Sequence, residues 1–230
     1  MIFVPRTFRM IRLGAVHMLL AAACCFTVFP FLWMAVSSLK TKAEVMAADA
    51  FLPSTPQYGN YLEIVFHSPI PRYLANSLLV AVSVAAIQVM CCSFFAYGVT
   101  FMRIRGRDML FRLVLFTYMV PTAVTYIPCY IILSRLGLLD SYQGLILSNG
   151  VSVLGIFLLR QAFEAVPMET MEAARMDGAG HFRILTGVVF PMTRPSFVTF
   201  ILLSFINTYN SYMWPSLITD TPELSLVSQG

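Results

Sequence analysis

The chain has 230 residues, 58% of them hydrophobic and 11% charged, with a formal net charge of +4, whereas soluble domains carry roughly 25% charged residues. Too few charges are present to cover a water-facing surface, which argues against an ordinary soluble protein and for a bilayer. The fifteen Lys and Arg residues are scattered rather than run together, which argues against a nucleic-acid partner.

Residues 1–12 carry Arg6, Arg9 and Arg12 ahead of an apolar stretch at 13–37. That stretch exceeds the roughly 7 to 15 apolar residues of a cleavable signal, so it reads as an uncleaved first span. A proline-bearing loop, 38–73, follows. Four further spans are predicted at 74–98, 109–133, 142–159 and 195–215, each near the roughly 20 residues that a membrane helix needs. Lipid offers backbone groups no partners and the alternation of a barrel strand is absent, so the spans must be helices. Pro121 and Pro128 should bend the third. The fold class is therefore an all-α membrane protein, a polytopic helical bundle with five visible spans.

Orientation follows from the retention of Lys and Arg in the cytoplasm. Arg6, Arg9, Arg12, Arg103, Arg105, Arg107, Arg112, Arg160, Arg175, Arg183 and Arg194 share one side, eleven against Lys40, Lys42, Arg72 and Arg135 on the other. The N-terminus is then cytoplasmic, 38–73 is outside, and so is the polar end 216–230. That end has no closing helix, which suggests a chain cut short. The five cysteines all lie in apolar stretches without a CxxC pair and read as packing residues.

The stretch 160–194 between the fourth and fifth spans carries the strongest signal. Pro167 suits a first helical position, Glu169 and Glu172 fall early and Arg175 late, as the helix dipole favours, and Gly178 can close the helix in a left-handed conformation. Arg160, Arg175, Arg183 and Arg194 cancel Glu164, Glu169, Glu172 and Asp177, unlike a lipid-binding polybasic segment. Small residues beside Met168, Met171, Met176 and Phe182 fit a helix that docks into a protein groove, or one that rests at the bilayer interface.

Glu172-Ala173-Ala174, then Asp177-Gly178-Ala179, then Val188-Val189-Phe190-Pro191 resemble the EAA loop of binding-protein-dependent ABC importer permeases, with Val188 and Phe190 where the pattern has Ile and Leu. The likeness is closest to the maltose-type carbohydrate permeases. It extends to YLANSLLVA at 73–81, to Met119-Val120-Pro121 and Ile127-Pro128, to IFLLRQ at 156–161, and to 207–215, where Tyr209 replaces a usual Trp. The resemblance implies a bundle of the type I ABC importer permease kind, lacking a sixth span here. It implies a permease core at 74–215 in the cell (inner) membrane, paired with a second permease subunit above an ABC ATPase dimer. An extracytoplasmic solute-binding protein would deliver the solute.

The residues expected to couple to the ATPase are Glu172, Ala173, Ala174, Asp177, Gly178, Ala179 and Pro191. No cofactor is expected in this chain, since it has no GxxxxGK[ST] sequence; ATP and Mg would bind the partner ATPase. No metal site is expected from His17, His67 and His181, which are far apart in sequence, and no enzyme site from Glu169, Glu172 and Asp177, which have no base or nucleophile beside them. Asn76, Asn149, Asn207, Tyr209 and Asn210 are the candidates for lining a translocation path, or for joining helices. A secondary transporter, a channel or an inactive truncated permease are the competing readings; the first would need ionisable residues near the midplane.

Overall fold

A computed structural model describes residues 6–47 and 51–230, the side chains of 6–12 excepted. Residues 1–5, the side chains of Arg6, Arg9 and Arg12, and residues 48–50 of the proline-bearing loop lie outside that description. The chain divides into two units, 1–68 and 69–230.

The first unit contains helices α1 (Arg6–Ser37), α2 (Lys42–Ala47) and α3 (Gly59–His67). Every side chain from Leu13 to Leu32 is exposed, as an apolar helix with lipid for solvent can be. A capping box starts α2: Thr41 N–H donates to Glu44 Oε2 at 2.9 Å and Glu44 N–H to Thr41 Oγ1 at 3.3 Å. The Thr41 amide, followed by bonds from Ser54, lowers the Glu44 carboxyl to about 2. Asn60 Nδ2 donates to Ser38 O and Lys40 O, and Lys40 Nζ stands 4.7 Å from the centre of the Trp33 ring.

The second unit is built around α4 (Ile70–Phe101), a 32-residue helix. It is followed by α5 (Arg107–Thr117), α6 (Thr122–Arg135), α7 (Tyr142–Ser148), α8 (Val153–Glu164) and α9 (Met168–Met176). Next comes a rod, 181–192, in which α10 (His181–Ile184) and α11 (Phe190–Met192) flank a π-helical turn at Leu185–Val189. Helices α12 (Arg194–Tyr209) and α13 (Met213–Ile218) complete the unit, with a short 3-10 turn at Pro222–Leu224. There is no strand among the described residues.

Helix α4 packs on α8 and α12 through a stripe repeating every three or four residues: Ala81, Val84, Ala85, Gln88, Cys92 and Ala96 are all buried. Small residues let helix backbones approach closely where lipid removes the hydrophobic drive to pack. One apolar cluster, with Phe101, Phe111, Phe163, Met171 and Phe197, lies at the end bearing 160–194. Another, with Val80, Leu145, Trp214 and Leu226, lies at the opposite end.

Among the described residues only two helices are singly long and apolar enough to span, Leu13–Ser37 and Ile70–Phe101. Three bent pairs raise the number to five if each counts once. The expected third span, 109–133, is α5 and α6 meeting at 99°. The break falls at Pro121, which lacks an N–H and constrains the residue before it; Pro128 sits inside α6. The fourth span, 142–159, is α7 and α8 bent by 48° and continuing to Glu164. The fifth, 195–215, ends as a helix at Tyr209, before the separate α13. Its other end turns 89° at Thr193 into the rod 181–192, so the 160–194 segment holds this rod as well as the one short helix expected.

Candidate functional site

The segment 160–194 is held firmly to its bundle. Pro167 stands one residue ahead of α9 rather than in its first turn, and Met168 begins the helix. At the other end Gly178, at φ +78°, takes the left-handed conformation. Its N–H donates to Arg175 O, and the N–H of Ala179 to Ala174 O, both at 3.0 Å. That pair of bonds is a Schellman closure, which satisfies two carbonyls the helix would leave open.

Met171, on the inner face of α9, is fully buried against the bundle, worth about 2 kcal/mol of apolar burial. Arg175 Nη2 donates to Phe101 O, the last carbonyl of α4, at 3.3 Å. His181 Nδ1 lies 3.1 Å from the Tyr97 hydroxyl. Arg160 places its guanidinium 3.8 Å from the Phe111 ring centre and pairs with Asp108 at 3.1 Å. Its Nε is 2.9 Å from Glu164 Oε1, an ion pair by distance although the N–H does not point at the oxygen. Both carboxylates are exposed, so these pairs contribute at most about 1 kcal/mol each.

The opposite face of α9 is bare. Glu172, Ala173, Met176, Asp177 and Gly178 are exposed, while Ala174 and Ala179 turn partly inward onto the core. Pro191 is exposed in α11, directly after the π-helical turn. Its missing N–H removes a bond to Gly187 O in the preceding turn, the kind of defect with which π-helical turns occur. The structure thus gathers Glu172, Ala173 and Ala174 on one short, tethered helix and Asp177, Gly178 and Ala179 in the turn that closes it, with Pro191 on the rod that follows.

A second feature lies between α4, the α7–α8 break and α12. A cleft of about 200 Å³ is lined by Gln88, Asn149, Ser152, Ser204, Asn207 and Ser211, among others. A neighbouring cleft of about 250 Å³, with Thr122, Thr125, Ser148 and Trp214, shares Asn149 and Ser211 with it. Among the described residues neither lining includes a charged side chain. Such walls can exchange hydrogen bonds with hydroxyl groups but cannot neutralise a charge.

The five polar residues singled out along the spans separate. Asn149 and Asn207 line the first cleft. Asn76 is 6% exposed and fully engaged elsewhere: Nδ2 donates to Glu223 O at 2.9 Å and Ser225 O at 3.0 Å, and Oδ1 accepts from the Tyr142 hydroxyl at 2.8 Å. It fastens α4 to the segment after α13. Tyr209 stacks on Phe205 with ring centres 5.6 Å apart, and Asn210 caps α12; neither lines a cleft described here. Gln88, buried in the middle of α4, was not among the candidates. A second amide beyond Asn76 in the same apolar helix was the signal for it.

A family model described as binding-protein-dependent transport system inner membrane component matches residues 88–229. Over 222 residues the chain is 29% identical to the sn-glycerol-3-phosphate transport system permease protein UgpE of Brucella abortus (strain 2308). The same holds for that of Rhizobium meliloti (strain 1021). Each alignment covers 93% of this chain and 79% of the relative. Among solved structures, a chain of a bacterial ABC transporter involved in the import of the acidic polysaccharide alginate superposes with a TM-score of 0.88 at 26% identity. That match covers 99% of this chain and 80% of the other.

Proposed function

The chain belongs to the binding-protein-dependent transport system inner membrane component family, and from that premise we propose that α9 is the lever through which a partner ATPase drives it. The chain is a multi-pass permease subunit of an ABC importer. Its outward face at Glu172, Ala173 and Gly178 seats in a cleft of the ATPase, while Met171, Arg175 and His181 tie it to α4 and the core. A push on a short helix so tethered moves the bundle as a rigid body instead of bending the loop. That tethering is the observation that supports the reading most.

A second permease subunit completes the path, an ATPase dimer with ATP and Mg lies beneath, and an extracytoplasmic binding protein supplies the solute. The basic residues set the N-terminus in the cytoplasm. The named solutes of the relatives, sn-glycerol-3-phosphate and the acidic polysaccharide alginate, carry hydroxyl groups beside anionic ones. The uncharged clefts suit hydroxyl groups, so the solute here is a carbohydrate or polyol gripped through its hydroxyls. The test is uptake of radiolabelled sugars and polyols by proteoliposomes holding the purified assembly, with ATP inside and binding protein outside. ATP-dependent accumulation is expected, whereas accumulation that persists without ATP would overturn the reading.

A further inference from the structure

We infer that Gln88 is the positioning residue that holds the break between α7 and α8 in its working geometry and registers it against α12. The amide is 9% exposed and lies well inside the 32-residue α4. Both of its ends are used. Nε2 donates to Asn149 O, at the start of the break, at 2.6 Å, and Oε1 accepts from Ser204 Oγ of α12 at 2.8 Å. One turn further along α4, Cys92 Sγ donates to Ser152 O, at the other edge of the break, at 3.4 Å. Gln88 therefore serves the carbonyl at one edge of the interruption, while Cys92 adds a weak second bond at the other edge to Ser152 O, which already accepts the N–H of Ile156 at 3.0 Å.

The need is physical. A helix interrupted at membrane depth leaves backbone groups that lipid cannot serve, so it persists only where neighbouring side chains serve them. The interruption also has little room to settle by itself. A Cβ on Gly150 would stand 3.2 Å from Leu147 O and 3.3 Å from Ile87, and Phe200 occupies the space above Gly155. Asn149 and Ser152 line the cleft that the proposed function treats as the path, and Ser204 rides on α12, which continues from the rod beyond α9. Gln88 thus links the break to the helix that follows the rod beyond α9, and its consequence for transport rests on the reading given above.

The test uses the purified chain in nanodiscs for hydrogen exchange, and its assembly with partner subunits for uptake. Gln88→Met keeps the length but makes neither bond; exchange of the backbone amides 150–153 should speed up by about tenfold, and uptake should fall by a similar factor. Gln88→Glu separates hydrogen bonding from packing. A buried carboxyl titrates well above its ordinary value. While protonated it donates to Asn149 O and accepts from Ser204; once ionised it loses the donor. The Glu variant should therefore match the unsubstituted chain near about pH 6 and approach the Met variant near about pH 9. Unchanged exchange in Gln88→Met, or a Gln88→Glu variant that matches Gln88→Met even at the acidic end, would overturn the inference. Asn207→Ala lines the cleft without touching the break. If its uptake is normal while the Gln88 variants behave as expected, the path reading fails and the positioning of the break stands.

Discussion

Replacing Gly178 separates an internal role of the α9 closure from a role in docking. At φ +78° any L-residue carries a left-handed backbone, costing about 1 kcal/mol. A Cβ built there meets no heavy atom within 4 Å, so within this chain alanine and tryptophan cost nearly the same. Asparagine, which tolerates this conformation, costs less. About 1 kcal/mol shifts a local equilibrium roughly fivefold, too little to prevent insertion of a bundle of this size. If Glu172, Ala173 and Gly178 face a partner, the bulk of tryptophan falls in the interface and alanine scarcely does. Gly178→Asn and Gly178→Ala should retain uptake within a factor of about five. Gly178→Trp should lose about tenfold or more, with ATPase activity no longer stimulated by the binding protein. The assay is ATP-driven uptake and stimulated ATPase of assemblies matched for permease content. Tryptophan performing as well as alanine would refute the reasoning, because the face would then be free.

Gly155→Ala sets a Cβ 2.1 Å from the buried Phe200 ring; overpacking of about 1 to 3 kcal/mol should lower the melting temperature of the purified chain. Asp140, at φ 52°, accepts from the Thr221 hydroxyl and from the N–H groups of Thr221 and Asp220, which hold its carboxyl below the usual range. Stability from a lowered pKa is present above the unfolded value near about 4 and is lost as pH falls through the folded one. Protection of the Thr221 amide, corrected for intrinsic exchange, should therefore decline on strong acidification, and in Asp140→Asn it should be low and flat. For topology, an impermeant thiol reagent on intact cells should label Thr55→Cys and spare Met176→Cys in a background without native cysteines. The reverse pattern would invert the proposed orientation.

Local chemistry made the loop legible. Glu169, Arg175 and Gly178 announce a short helix and its end, and the structure agrees to within a residue at Pro167 and Met168. Apolar length marked the two helices long enough to span singly and the three bent pairs, because hydropathy needs no knowledge of neighbours. Angles were not legible. Pro121 marks where the third span breaks but carries no 99°, and the α7–α8 break has no proline at all. That break depends on Gln88 and Cys92, about sixty residues earlier in the chain. The rod 181–192 was not anticipated, because the sequence marks only one short helix in 160–194, closed at Gly178. Asn76 and Asn149 look alike in sequence, each an amide in an apolar run. Only partners as distant as Glu223 make one a fastener while the other lines a cleft.

The most direct test of the central claim is gentle purification of the tagged chain from its native membrane, with mass spectrometry of what accompanies it. The account expects an ABC ATPase and a second permease to come with it, and the ATPase to be lost with Gly178→Trp. Recovery of the second permease alone, or of an ATPase held equally well by the tryptophan variant, would contradict docking through α9.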